Sequence, residues 1–251
     1  MLDQGLSDQA SGLRRLVAAA PMALLAFPLD GGPGAWIAQL AHTLRALGRK
    51  PVVLDATRGA VAAAFGLKLR HELLDLLQGE RDFDGVAQPT ADGVYVLRGE
   101  RGIEAFVASG APADQLLGGF SRLSQGFDEL LLAMPAGELA CLAAPGRSVP
   151  VLGLEASATG RVDSYALVKH MATGFGYRRF ACVVRGAEDA AHAEAEHARL
   201  AEAARRFLGA EITLAGWLPA GPEGRTGALA RTAENLLRTA AMPLATAAAA
   251  A

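Results

Sequence analysis

The stretch "FPLDGGPGAWIAQLAHTLRALGRKPVVLDA", Phe27 to Ala56, decides the fold. An apolar strand runs into a glycine-rich turn, a helical pattern covers Trp36 to Leu47, and a second apolar strand ends at Asp55. Strand, glycine turn, helix and strand in that order form the unit that cradles phosphates on backbone N–H groups. In a working unit of this kind a lysine reaches the β and γ phosphates and a Ser or Thr hydroxyl ligates Mg²⁺. Here the glycines stand at Gly31, Gly32 and Gly34, but Ala35 and Trp36 occupy the lysine and hydroxyl positions.

Working outward, short apolar strands alternate with helical patterns. The strands read at 22–29, 51–56, 93–99, 129–135, 148–155, 180–186 and 212–219, and the helices at Trp36 to Leu47, Asp114 to Ser124, Asp163 to Thr173 and Ala187 to Leu208. Strands this apolar are expected where helices cover both faces of a parallel sheet. The expectation is therefore an α/β fold with a doubly wound, mostly parallel sheet of about seven strands and ligands at the carboxyl ends of the strands. Residues 1–20 read as a short N-terminal helix appendage. Ser7 is its N-cap, Asp8 sits at the dipole-favoured first position, and Ala10, Leu13, Leu16 and Val17 share one face. Residues 21–242 form the α/β domain, and 243–251 an Ala-rich tail expected to be disordered.

The 251 residues carry 24 basic and 26 acidic side chains, which leaves no cationic surplus for nucleic acid. Cys141 and Cys182 lie far apart in apolar stretches and read as buried free thiols, which suits a reducing cytoplasm. No stretch is apolar for long enough to span a membrane, and the N-terminus lacks the layout of a signal peptide. In "HAEAEH", His192 and His197 fall on different helix faces, so no metal site is expected there. His42, His71 and His170 are isolated within helical patterns and are expected at surfaces or core edges.

Several strings in the chain resemble the MinD/ParA group of deviant-Walker ATPases, and among them the FlhG (FleN) family of flagellar-number regulators. "DGGPGAW" stands where the group has K-G-G-x-G-K-[ST], "VVLDATRG" where it has a strand ending in D-x-D, and "FDELLLAMPAG" where it has a Walker-B strand followed by D-[TC]-[PG]-x-G. "EASATGRVDSYALVKHM" is similar to E-P-T-S-x-x-D-A-Y-x-x-I-K, with a small insertion and no proline, and "LAGWLPAG" to L-G-x-I-P-x-D. Near the start, "DQASGLR", Asp8 to Arg14, resembles the D-Q-A-x-x-L-R segment that sets the FlhG family apart. In that family the segment binds and activates FlhF, a GTPase related to signal-recognition-particle GTPases. The resemblance thus implies a partner site at Asp8, Gln9, Ala10, Leu13, Arg14 and Leu16.

The same resemblance marks what the nucleotide site has lost. Asp30 replaces the signature lysine that reaches across a dimer, Asp55 keeps the first acid of D-x-D but Thr57 replaces the second, Ala133 stands at the Walker-B Asp, and Gly221 replaces the acid after the last strand. Removing one charge-assisted partner of a phosphate costs about 2 to 5 kcal/mol, and two lysines and the metal site go together. The implied protein is a pseudo-ATPase with no catalytic residues, no metal and no ATP or Mg²⁺ cofactor. It would be a monomer or a nucleotide-indifferent dimer, cytoplasmic, and recruited to the cell pole by an FlhF-type GTPase. Flagellar basal-body or regulatory proteins are further partners on this reading, and membrane contact is at most indirect, because "ARTAENLLRTAAMPL" is poor in basic residues, is interrupted by Pro243 and reads as a mobile core helix. Two rival readings are a nucleotide-independent adaptor for flagellar assembly or transcription components, and an active MinD-like ATPase.

Overall fold

A computed structural model describes residues 22–123 and 126–244. The first strand, β1 (Ala23–Pro28), is followed by helix α1 (Ala35–Ala46) and strand β2 (Pro51–Asp55). A 3-10 turn at Ala62–Phe65, two short helices, α2 (Leu73–Leu77) and α3 (Phe83–Val86), and strands β3 (Gln88–Pro89) and β4 (Tyr95–Arg98) come next. Helices α4 (Glu100–Ser109) and α5 (Ala113–Leu123) lead to strand β5 (Glu129–Met134) and helix α6 (Ala136–Leu142). The second half alternates regularly through β6 (Val151–Glu155), α7 (Ala158–Gly174), β7 (Arg179–Ala187), α8 (Ala190–Leu208), β8 (Glu211–Pro219), α9 (Arg225–Thr239) and β9 (Met242–Pro243).

The strands form two sheets, ordered β3-β4-β2-β5-β1-β9 and β6-β7-β8, and β1 lies against β6 where the sheets meet. Every pairing is parallel except those of the two-residue strands β3 and β9. Along β1 and β5 successive residues face opposite sides. Leu24, Ala26, Leu130 and Leu132 enter one core with α2 through α8, whereas Leu25, Phe27, Leu131 and Ala133 enter the other with α1 and α9. Helices on both faces bury the strands twice over, and β5 has no exposed position. The doubly wound α/β reading holds, with all seven expected strands present and two short ones added.

Several local expectations are corrected. Helix α7 begins at Ala158, not Asp163, because Ser157 caps it: its Oγ accepts from the Gly160 N–H at 3.0 Å. Helix α8 begins at Ala190 because β7 keeps pairing to Ala187, opposite Pro219, and Asp189 then caps the helix through the His192 N–H. Cys141 is exposed on α6, where its thiol donates to the Gly137 carbonyl, and only Cys182 is buried. His71 precedes α2 instead of lying in a helix, and pairs with Asp75 at 3.5 Å.

The C-terminal helix starts at Arg225 and packs Leu229, Ala233 and Leu236 into the core. The chain stays in the fold beyond residue 242. Pro243 pairs with Ala23, and the Leu244 N–H donates to the Met22 carbonyl at 2.8 Å. The rest of the tail, 245–251, and the partner segment at 1–20 lie outside the described residues. Among the described residues no helix is long and apolar enough to cross a membrane.

Candidate functional site

The parallel register brings the carboxyl ends of three strands together. Phe27 of β1 and Asp55 of β2 both flank Ala133 of β5, so the turn after β1, the loop after β2 and the start of α6 meet above one sheet edge. Gly31 and Gly32 turn the chain with φ of 107° and 84°, a conformation that suits glycine, and nothing lies within 4 Å of where their side chains would be. Gly34 serves a different need. A Cβ there would stand 2.7 Å from Val61 Cγ2 and 2.8 Å from the Ala60 carbonyl oxygen, so the loop after β2 lies directly on the turn.

Asp55 holds that loop. It is fully buried, and its Oδ1 accepts from the Thr57 N–H at 2.9 Å and the Thr57 hydroxyl at 2.5 Å. Its Oδ2 accepts from the Val61 and Ala62 N–H groups at 3.1 and 2.6 Å. Four donors to one carboxylate satisfy it within the chain and fix the loop over the turn. Asp30 is likewise engaged internally, with its Oδ1 accepting from the Ala136 N–H at 2.7 Å, at the first residue of α6. Negative charge at that helix end is favourable, so Asp30 pins the glycine turn to the strand bearing Ala133.

Ala35 opens α1, and Trp36 drives its indole into the core with 5% exposure. The ring meets Phe27 edge-on at 5.4 Å, and a Cβ on Gly153 would stand 3.0 Å from it. The Arg185 guanidinium lies over the ring, 6.0 Å from its centroid. Arg185 lies two residues before the end of β7, and its Nη2 pairs with Glu155 Oε2 at 3.1 Å while its Nε is buried without a partner. Burial lowers its pKa from the ordinary arginine value, against the opposing pull of Glu155. Glycine inside the apolar strand "VLGLE" was the sequence signal for a close approach at Gly153. Sequence reasoning missed Arg185, whose signal is a cation closing the apolar strand in "VVRG".

Between the glycine turn and α7 opens a cleft of about 740 Å³, within the usual size of ligand pockets. Its charged lining is Asp30, Glu155, Asp163 and Arg185, and His170 also lines it. Three carboxylates against one guanidinium, itself already paired, present a negative field to any polyanion that approaches the turn. Thus the described site residues Asp30, Gly31, Gly32, Gly34, Ala35, Trp36, Asp55, Thr57 and Ala133 do gather at one sheet edge. Asp55 and Ala133 are buried and Thr57 is half-buried, whereas Asp30 stays exposed at the cleft while its carboxylate accepts from the Ala136 N–H. His192 and His197 go to separate partners, Glu196 at 3.8 Å and the Ile212 carbonyl at 2.9 Å.

A glycine turn between a central parallel strand and its following helix, at the carboxyl edge of a doubly wound sheet, defines the fold class of P-loop nucleoside triphosphatases. Within that class, the fold is that of the MinD- and ParA-type ATPases. MinD in the MinC:MinD cell division complex of Aquifex aeolicus superposes with a TM-score of 0.61 at 16% identity, over 86% of this chain and 95% of that one. Cobyrinic acid a,c-diamide synthase from Mycobacterium smegmatis, with bound ADP and magnesium, gives 0.63 at 17% identity, over 86% and 95%. The Pyrococcus furiosus cell division ATPase MinD gives 0.58 at 20% identity, over 88% and 100%. No protein-family model matches the chain, and no curated protein matches it.

Proposed function

We propose that this chain is a regulator of flagellar number and placement, similar to the FlhG family, that has given up ATP chemistry and acts on an FlhF-type GTPase through residues 1–20. The observation that supports the loss of ATP chemistry is the self-completed turn. Phosphate would have to meet Ala35 and a buried indole where it needs an ammonium and a hydroxyl, beside carboxylates Asp30 and Asp55 already bonded within the chain. Phosphoryl transfer depends on positioning and charge neutralisation, and neither is supplied there.

The GTPase reading rests on the Asp8–Arg14 string. Gln9 would orient the water that attacks the partner's GTP, since its amide both donates and accepts. Leu13 and Leu16 would anchor the segment, Arg14 would contact the partner's charge, and Ala10 would allow close approach. Single-turnover GTP hydrolysis by an FlhF-type GTPase tests this with the full chain and with Gln9→Ala. Stimulation by the parent and binding without stimulation by the variant are expected; equal stimulation by both sinks the activator reading. The second reading, a nucleotide-independent adaptor, is favoured by the open cleft beside α7. It is distinguished in the same assay, because an adaptor binds without accelerating turnover.

A further inference from the structure

On the face opposite α1 and α9, helices α2, α4 and α5 leave an apolar groove of about 450 Å³, lined by Leu74, Leu77, Phe106, Leu116 and Phe120 among others. Two glycines shape it. Gly102 on α4 meets α2 so closely that a Cβ would stand 2.7 Å from Leu73 Cβ, which draws these helices together at one end. Gly119 in the middle of α5 also lines the groove and has nothing within 4 Å of a Cβ position, which leaves a notch. A glycine inside a helix costs about 1 kcal/mol relative to alanine, so the notch is maintained against propensity. Leu77 remains 45% exposed at the rim.

We infer that this groove is the seat of the chain's own N-terminal segment, which docks through Leu13, Leu16 and Val17. The path supports it. Met242 pairs with Leu24 near the start of β1 and shares a small cavity with Ala113 and Asp114, so the segment enters the fold beside the start of α5, the helix that lines the groove. Leu13 and Leu16 precede Met22 by nine and six residues, a reach of up to about 20 to 30 Å. The pattern supports it as well, since apolar residues at helical spacing laid into an apolar groove are a recurrent mode of recognition. Tethering gives the segment an effective concentration that a free competitor must overcome.

The consequence rests on the function proposed above. The side chains that seat the segment are those assigned to anchor the GTPase, so docking and activation exclude one another, and the partner must win the segment from the groove. Hydrogen exchange on the full chain tests the seat without any partner. Amides 8–17 should be protected in the parent, and Leu77→Arg or Leu13→Asp should each lower that protection about tenfold while β5 amides stay unchanged. Equal exchange at 8–17 in parent and Leu77→Arg overturns the inference, as does protection that vanishes on dilution, which would assign the groove to a second copy. In a separate measurement at limiting protein, Leu77→Arg should stimulate the GTPase more than the parent does. No stimulation by either would overturn the GTPase reading and leave the exchange result to judge the seat.

Discussion

Asp55 is the residue whose position the sequence made plain and whose role it concealed. The resemblance marks it as the retained first acid of D-x-D, yet its four hydrogen bonds are spent on Thr57, Val61 and Ala62. Which donors face it depends on how residues 57–62 fold back, and no periodicity encodes that. Asp55→Ala strands buried backbone N–H groups and should cost about 3 kcal/mol or more in urea unfolding. Glu138 gives a pH-dependent counterpart. Burial raises its pKa, with Glu104 and Glu100 adding to the effect, and its Oε2 is buried without a partner. The folded state therefore holds the Glu138 proton more tightly than the unfolded chain does. The favourable contribution is complete below the ordinary glutamate pKa and is lost as pH rises through the raised value. Glu138→Gln should match the parent in melting temperature at low pH and exceed it at neutral pH. The thiols provide a third check: Cys182 is buried and pushed up to about 12 whereas Cys141 is exposed, so an added thiol reagent should label one cysteine in the native protein and two after denaturation.

At the scale of elements, strands were legible and the small helices were not. Strands such as β2 and β5 are unbroken apolar runs covered on both faces, and they declare themselves by composition. Helices α2 and α3 span only five and four residues, too few for a helical period to show, and are placed by caps such as Asp82 accepting from the Gly85 N–H. The start of α7 was hidden by Gly160, which reads as a loop residue although a side chain there would collide with Glu155. Gly34 ties two elements together at the site. Gly34→Ala forces α1 away from the loop at Ala60 and Val61, and overpacking of this kind should cost about 1 to 3 kcal/mol in thermal or urea unfolding.

For the whole molecule, the fold could be read from the order of its strands, whereas the cleft could not. Glu155, Asp163 and Arg185 come from three separate elements, and only the folded sheet sets them beside the glycine turn. A ligand at a hundred times its dissociation constant would stabilise the fold by about 2.7 kcal/mol. Millimolar Mg-ATP is expected to leave both the melting temperature and the sedimentation coefficient unmoved. A shift in either would revive the ATPase reading.

Asp30 bonded to the start of α6 has a consequence for the cell. When a bound nucleotide closes a loop, the population of the finished form follows the energy state of the cytoplasm. A turn closed by the chain's own carboxylate is finished as soon as the polypeptide folds. On the ATP-independent reading proposed above, the amount of competent protein would follow synthesis and degradation alone, and ATP depletion should leave it unchanged. On the function proposed above, such a molecule would report its own copy number.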